Sequence, residues 1–95
     1  MNLQEISDNP DLGWDYRYLS AHPDITIDMI KKYKNISWDY IYVSRNPNIN
    51  IEFVINNLDK IWNWYWLSYN EAITEEDKIR YYQLPWVKNW FFYLL

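Results

Sequence analysis

The 95-residue sequence predicts an all-α fold, a short α-solenoid of antiparallel helix pairs, and three observations predict it. Tryptophan recurs at positions 14, 38, 62 and 86, each step being 24 residues. Side chains of preferred N-cap type stand at one fixed distance after the first three of these, at Thr26, Asn50 and Thr74. With one Gly and four Pro, the chain lacks the turn residues that sandwiches and barrels require.

Aligned on the tryptophans, three ungapped units of 24 residues follow one another over 14–37, 38–61 and 62–85. A half repeat, 1–13, precedes them and a partial repeat, 86–95, follows, all within one domain. The residue after Trp is Asp15, Asp39 or Asn63, and the next is Tyr16, Tyr40 or Trp64. Four after Trp come Tyr18, Tyr42, Trp66 and Trp90; five after come Leu19, Val43 and Leu67; six after come Ser20, Ser44 and Ser68. Eleven after come Ile25, Ile49 and Ile73. In the half repeat, Asn2 falls at the phase of Thr26, Asn50 and Thr74.

Within a unit, apolar residues at Trp and at four and five beyond it form a helical stripe. The aromatic two beyond widens it, so this helix must be sandwiched between neighbours. The expected bounds of this first helix are 14–21, 38–45, 62–69 and 86–94. His22-Pro23 and Asn46-Pro47 stop it, because a residue before proline is pushed out of the helical region. Asn70-Glu71 in the third unit predicts a weaker break. The second helix starts after the cap residue, at 27, 51 and 75, with the half-repeat copy at Leu3, and ends near 34, 58 and 83. Asp28, Glu52 and Glu76 favour its first turn through the helix dipole. The link to the next Trp offers Asp11, Asn35 or Asp59 as a cap for the first helix. In the third unit Glu75 and Asp77 replace apolar residues, which predicts a more solvated terminal helix. Helices of about eight residues do not stand alone in water, so stacking must hold them.

Composition narrows the function. The absence of Cys excludes disulfides, thiolate zinc sites and a cysteine nucleophile, and fits a reducing compartment. The N-terminal residues show no signal-peptide pattern, and no apolar run approaches the ~20 residues of a membrane span. A soluble, non-secreted chain without a membrane partner is expected. The net charge of −4 and the scattered basic residues, only Lys31, Lys32 and Lys34 clustering, argue against nucleic-acid binding.

The segment from Trp38 to Trp66 reads WDYIYVSRNPNINIEFVINNLDKIWNWYW. It resembles a tryptophan-rich helical repeat found in tandem in uncharacterised proteins of giant DNA viruses that infect amoebae. The resemblance covers roughly residues 9–70 and fades beyond Asn70. It implies a viral protein acting in the host cytoplasm or the virion, and nothing about activity.

No catalytic, cofactor-binding or metal-binding residue is expected. His22 lacks the companions that ligation or proton transfer needs, and shares a phase with Asn46 and Asn70, which fits capping of the first helix or its turn. The three serines fit hydroxyls bonded back to the carbonyl four residues earlier, not a nucleophile, which would not occur in triplicate. Asp15 and Asp39, with Asn63 at the same phase, fit dipole stabilisation better than an acid–base pair. Trp14, Trp38, Trp62 and Trp86, with Leu19, Val43, Leu67, Ile25, Ile49 and Ile73, are the expected core. Tyr18, Tyr42, Trp66 and Trp90, joined by Tyr65 and Tyr69, form a second aromatic ladder suited to holding a protein partner. The rings of Trp62, Trp64, Tyr65, Trp66 and Tyr69 exceed what one short helix can bury, so the strongest exposed patch is expected there. The apolar C-terminus, Trp90 to Leu95, is the alternative: a surface for self-association in a virion or assembly component.

Overall fold

Seven short segments of this sequence carry a capping side chain immediately before them, and all seven are helices. The computed structural model describes residues 1–87, and the regular secondary structure among them is entirely α-helical. The helices are α1 (Leu3–Asp8), α2 (Tyr16–Ala21), α3 (Ile27–Lys32), α4 (Tyr40–Val43), α5 (Ile51–Ile55), α6 (Trp64–Tyr69) and α7 (Glu75–Arg80). Their N-caps are, in order, Asn2, Asp15, Thr26, Asp39, Asn50, Asn63 and Thr74. Each side-chain oxygen accepts from a backbone N–H of the first turn, satisfying a donor the helix cannot. At α7 the cap is reciprocal: Asp77 N–H donates to Thr74 Oγ1 at 3.1 Å, and Thr74 N–H donates to Asp77 Oδ2 at 2.9 Å.

The first helix of each unit is shorter than its sequence suggests. It begins at Tyr16, Tyr40 and Trp64, two residues after the expected 14, 38 and 62. The tryptophans therefore lie outside it. Asp15, Asp39 and Asn63 are the N-caps, not first-turn residues acting through the dipole, and Asp11, Asn35 and Asp59 cap no helix. The second helices end at Lys32, Ile55 and Arg80, short of 34, 58 and 83. The third unit breaks as sharply as the first: Asn70 ends α6 with ψ 122° and His22 ends α2 with ψ 132°. A proline is therefore not required for this break. The expected helix 86–94 falls almost wholly outside the described residues.

Three kinds of side chain tie the segments together. Each indole N–H reaches back five residues to a carbonyl at the end of the preceding helix. Trp14 donates to Asn9, Trp38 to Tyr33, Trp62 to Asn57 and Trp86 to Tyr81, at 2.7–3.1 Å. Each serine Oγ accepts a backbone N–H from 19 residues on: Ser20 from Asp39, Ser44 from Asn63, Ser68 from Val87, at 2.9–3.0 Å. Ser44 and Ser68 also donate to the carbonyls of Tyr40 and Trp64, four residues back. The amide of Asn46 donates to the carbonyls of Ser20, His22 and Ile25, and that of Asn70 to those of Ser44 and Asn46. Asn46 is fully buried, and a buried amide is tolerated only when satisfied in this way.

The core runs along the chain at the same phases. Leu19, Val43 and Leu67 are buried, as are Ile25, Ile49 and Ile73. Trp62 and Trp86 are buried as well, whereas Trp14 and Trp38 are half-buried and pack against the core from its edge. α2 packs against α4. The molecule measures 50 × 22 × 19 Å, with a radius of gyration of 14.5 Å. A compact domain of this length would have about 12 Å, so the shape is elongated.

Candidate functional site

Once the caps and ties are assigned, few recurring polar groups remain free for chemistry. Asp15 Oδ1 accepts from Arg17 N–H and Tyr18 N–H at 3.1 Å, and Asp39 Oδ1 from Ile41 N–H at 3.1 Å. His22 Nδ1 accepts from Asp24 N–H at 3.0 Å, as Asn46 and Asn70 accept from Asn48 and Ala72. The histidine thus closes the turn after the helix. Ser20, Ser44 and Ser68 are buried and engaged between segments. Among the described residues, no group of three His, Asp or Glu side chains could hold a metal ion.

The second aromatic ladder lies on the outside. Tyr18 is 67% exposed and meets His22 edge-on at 5.5 Å. Tyr42 and Trp66 are half-buried and meet in a T-shaped pair at 5.4 Å. The Arg45 guanidinium lies over the Trp66 ring, 4.8 Å from its centroid, a cation–π contact. Tyr65 and Tyr69, both more than half exposed, touch each other at 5.1 Å. Trp90 lies outside the described residues, as does the apolar segment to Leu95.

These rings line two grooves. The first, about 600 Å³, is bounded by Tyr18, Ala21, His22, Pro23, Tyr42 and Arg45. The second, about 320 Å³, is bounded by Arg45, Pro47, Trp66, Tyr69, Asn70 and Glu71. Ala21, Pro23, Tyr42 and Arg45 of the first stand 24 residues before Arg45, Pro47, Trp66 and Tyr69 of the second. Arg45 borders both.

The ring cluster around α6 is less exposed than its composition suggests. Trp62 is buried against Tyr40 and Phe53, with centroids at 5.1 and 6.0 Å. Trp64 is half-buried against Trp86 at 5.2 Å. Only Tyr65 and Tyr69 of the five face solvent, because each remaining ring finds a neighbour in an adjoining segment.

Compared with protein-family models, with curated proteins and with solved structures, the chain matches none.

Two residues escaped the sequence reading. Arg45 is visible only as a basic residue at the phase of Ala21 and Tyr69, and its place over Trp66 depends on two units meeting. Lys78 stands at the phase of Ile30 and Val54, both buried, and is itself 8% exposed. Its ammonium donates to the Ser68 carbonyl. The corresponding carbonyls of Ser20 and Ser44 receive the Asn46 and Asn70 amides. Burial pushes the Lys78 ammonium below the usual lysine range, against the opposing pull of Glu75. No helix among the described residues is long and apolar enough to cross a membrane.

Proposed function

We propose that this chain is a non-enzymatic protein–protein interaction module, a short α-solenoid of 24-residue units. It holds a partner protein on the face carrying Tyr18, Tyr42 and Trp66. The observation behind this reading is the pair of aromatic grooves, one 24-residue step apart and joined at Arg45. Exposed tyrosines and an arginine on a tryptophan are the side chains that dominate binding energy at interfaces, because they are large, rigid and able to hydrogen-bond. A framework role for the serines, His22 and the capping aspartates supports the absence of catalysis, since those groups are already engaged. The resemblance of residues 9–70 to tryptophan-rich repeats of amoeba-infecting giant viruses supports a viral protein, with a host or viral partner in the host cytoplasm or virion.

The test is affinity capture from amoebal host lysate with the tagged full chain, alongside Tyr18→Ala and Trp66→Ala. Tyr18 is largely exposed, so its truncation leaves the fold intact. One protein retained by the wild type and lost from both variants is the expected result. Equal retention by all three chains would remove the aromatic face from the interface.

A further inference from the structure

Another concave site lies apart from the aromatic grooves, and its lysines break the repeat. The cleft of about 480 Å³ is lined by the core-edge residues Ile30, Ile36, Trp38, Tyr40, Phe53 and Asn57, and by three lysines, Lys31, Lys34 and Lys60. No carboxylate lines it. The chain as a whole carries 13 acidic and 9 basic residues, so a third of its basic residues border one cleft.

The lysines are not part of the repeating framework. The residues 24 positions before them are Ser7, Pro10 and Ile36, and those 24 positions after are Ile55, Leu58 and Leu84. The same three phases are thus uncharged on either side. Helix termini do not require the lysines either. Lys31 and Lys32 sit in the last turn of α3, where a cation is favoured, yet α1 and α5 end with no basic residue. Lys34 and Lys60 lie beyond their helices altogether. Lys60 also pairs with Asp59 at 3.8 Å, but both side chains are exposed, and such pairs hold weakly.

We infer that this cleft binds an acidic peptide segment of a partner protein, carboxylates on the three lysines and an apolar side chain against the half-buried Trp38 and Tyr40 rings. This rests on the reading of the chain as a protein-binding module and adds a second contact surface to it. The volume falls in the range of ordinary ligand pockets. Positive charge focused in a concavity steers an anionic partner even when the net charge of the chain is negative. A peptide fits better than a phosphate group. The lining has no arginine fork to cradle a phosphate, α3 meets it at its C-terminal end, and the start of α4 at Tyr40 is capped by the Asp39 carboxylate, which repels an anion there. Three lysines on separate flexible stems match carboxylates spaced along a chain.

The experiment is fluorescence anisotropy with the full-length chain and a fluorescein-labelled peptide of four glutamates around one phenylalanine. A glutamine counterpart of the peptide and ATP serve as competitors. The glutamate peptide is expected to bind at low salt, weaken as salt rises, and bind about tenfold more weakly to Lys31→Gln/Lys34→Gln/Lys60→Gln. Neither competitor should displace it, and Trp66→Ala should bind as the wild type does. Should the triple variant lose helicity, Lys34→Glu, a single exposed change, must show the same weakening. Unchanged binding by the lysine variants, no binding at all, or displacement by ATP would overturn the inference. None of those outcomes bears on the aromatic face, whose test depends on Tyr18 and Trp66.

Discussion

At the scale of single residues, the molecule is held by a few buried polar groups used repeatedly. Asn46 shows the economy: one amide closes three carbonyls of the preceding unit while its oxygen accepts Asn48 N–H at 2.8 Å. Asn46→Leu keeps the branched shape, strips the Ser20 carbonyl of its donor and Asn48 N–H of its acceptor, and leaves the His22 and Ile25 carbonyls only the Ile25 N–H and the Asn48 amide. It should cost about 3 kcal/mol, read as a shift in the urea midpoint with unchanged slope. Lys78 gives a pH signature. Its folded-state value is lowered by burial, so between that value and the ordinary value of about 10.4 the unfolded chain holds more protons. Its contribution to stability therefore rises with pH across that window. Tyr40 acts in the opposite sense. Burial, then Asp59, holds its phenol above the usual value, so the unfolded chain ionises first and stability falls as pH passes about 10. Lys78→Met removes the first effect and leaves the second. The wild type should thus gain stability relative to Lys78→Met as pH climbs towards 10, in paired urea titrations.

At the scale of elements, helices of four to six residues persist because both ends are closed. Caps close the starts, and the indole N–H of the following Trp closes the ends of the second helices. Trp62→Phe keeps an aromatic ring in the core but deletes the bond to Asn57 O together with part of the indole volume, so it should cost about 1–2 kcal/mol. Trp62→Ala should cost about 3–5 kcal/mol, near the whole margin of a small domain. Comparing the two by thermal melting separates the bond from the packing. This arrangement was only half legible in the sequence. The caps of α3, α5 and α7 and the start of α1 could be read directly, because Asn2, Thr26, Asn50 and Thr74 are good caps next to apolar runs. The start of the first helix is not legible, because Trp and the residues four and five beyond it mimic a helical stripe. Asp15, Asp39 and Asn63 bond the backbone N–H groups after them, which ends the helix one residue short of the Trp. The recurrence of Ser and Asn was plain, but their partners lie 19 to 26 residues away, and sequence periodicity does not show which neighbours meet.

At the scale of the whole molecule, the ties run from one segment to the next along a particle 50 Å long. This sets Tyr18 of α2, Tyr42 of α4, and Trp66 and Tyr69 of α6 along two adjoining grooves that Arg45 bridges. The exposure of Tyr18, Tyr65 and Tyr69 was anticipated as part of a ladder. Trp62 is an expected core residue and is buried, whereas the partial cover of Trp64 and Trp66 depends on rings from neighbouring segments that periodicity does not show. The three-lysine cleft was visible in part as the Lys31, Lys32 and Lys34 cluster, but Lys60 joins it only in three dimensions. The most direct measurement is site-specific photo-crosslinking in amoebal lysate, with a photoreactive side chain placed in turn at Tyr18, Tyr69 and Leu12. All three positions are well exposed, and Leu12 borders neither aromatic groove. Cross-links to one protein from Tyr18 and Tyr69, and none from Leu12, are the predicted result. Equal cross-linking from all three, or from Leu12 alone, would contradict a partner held on the aromatic face.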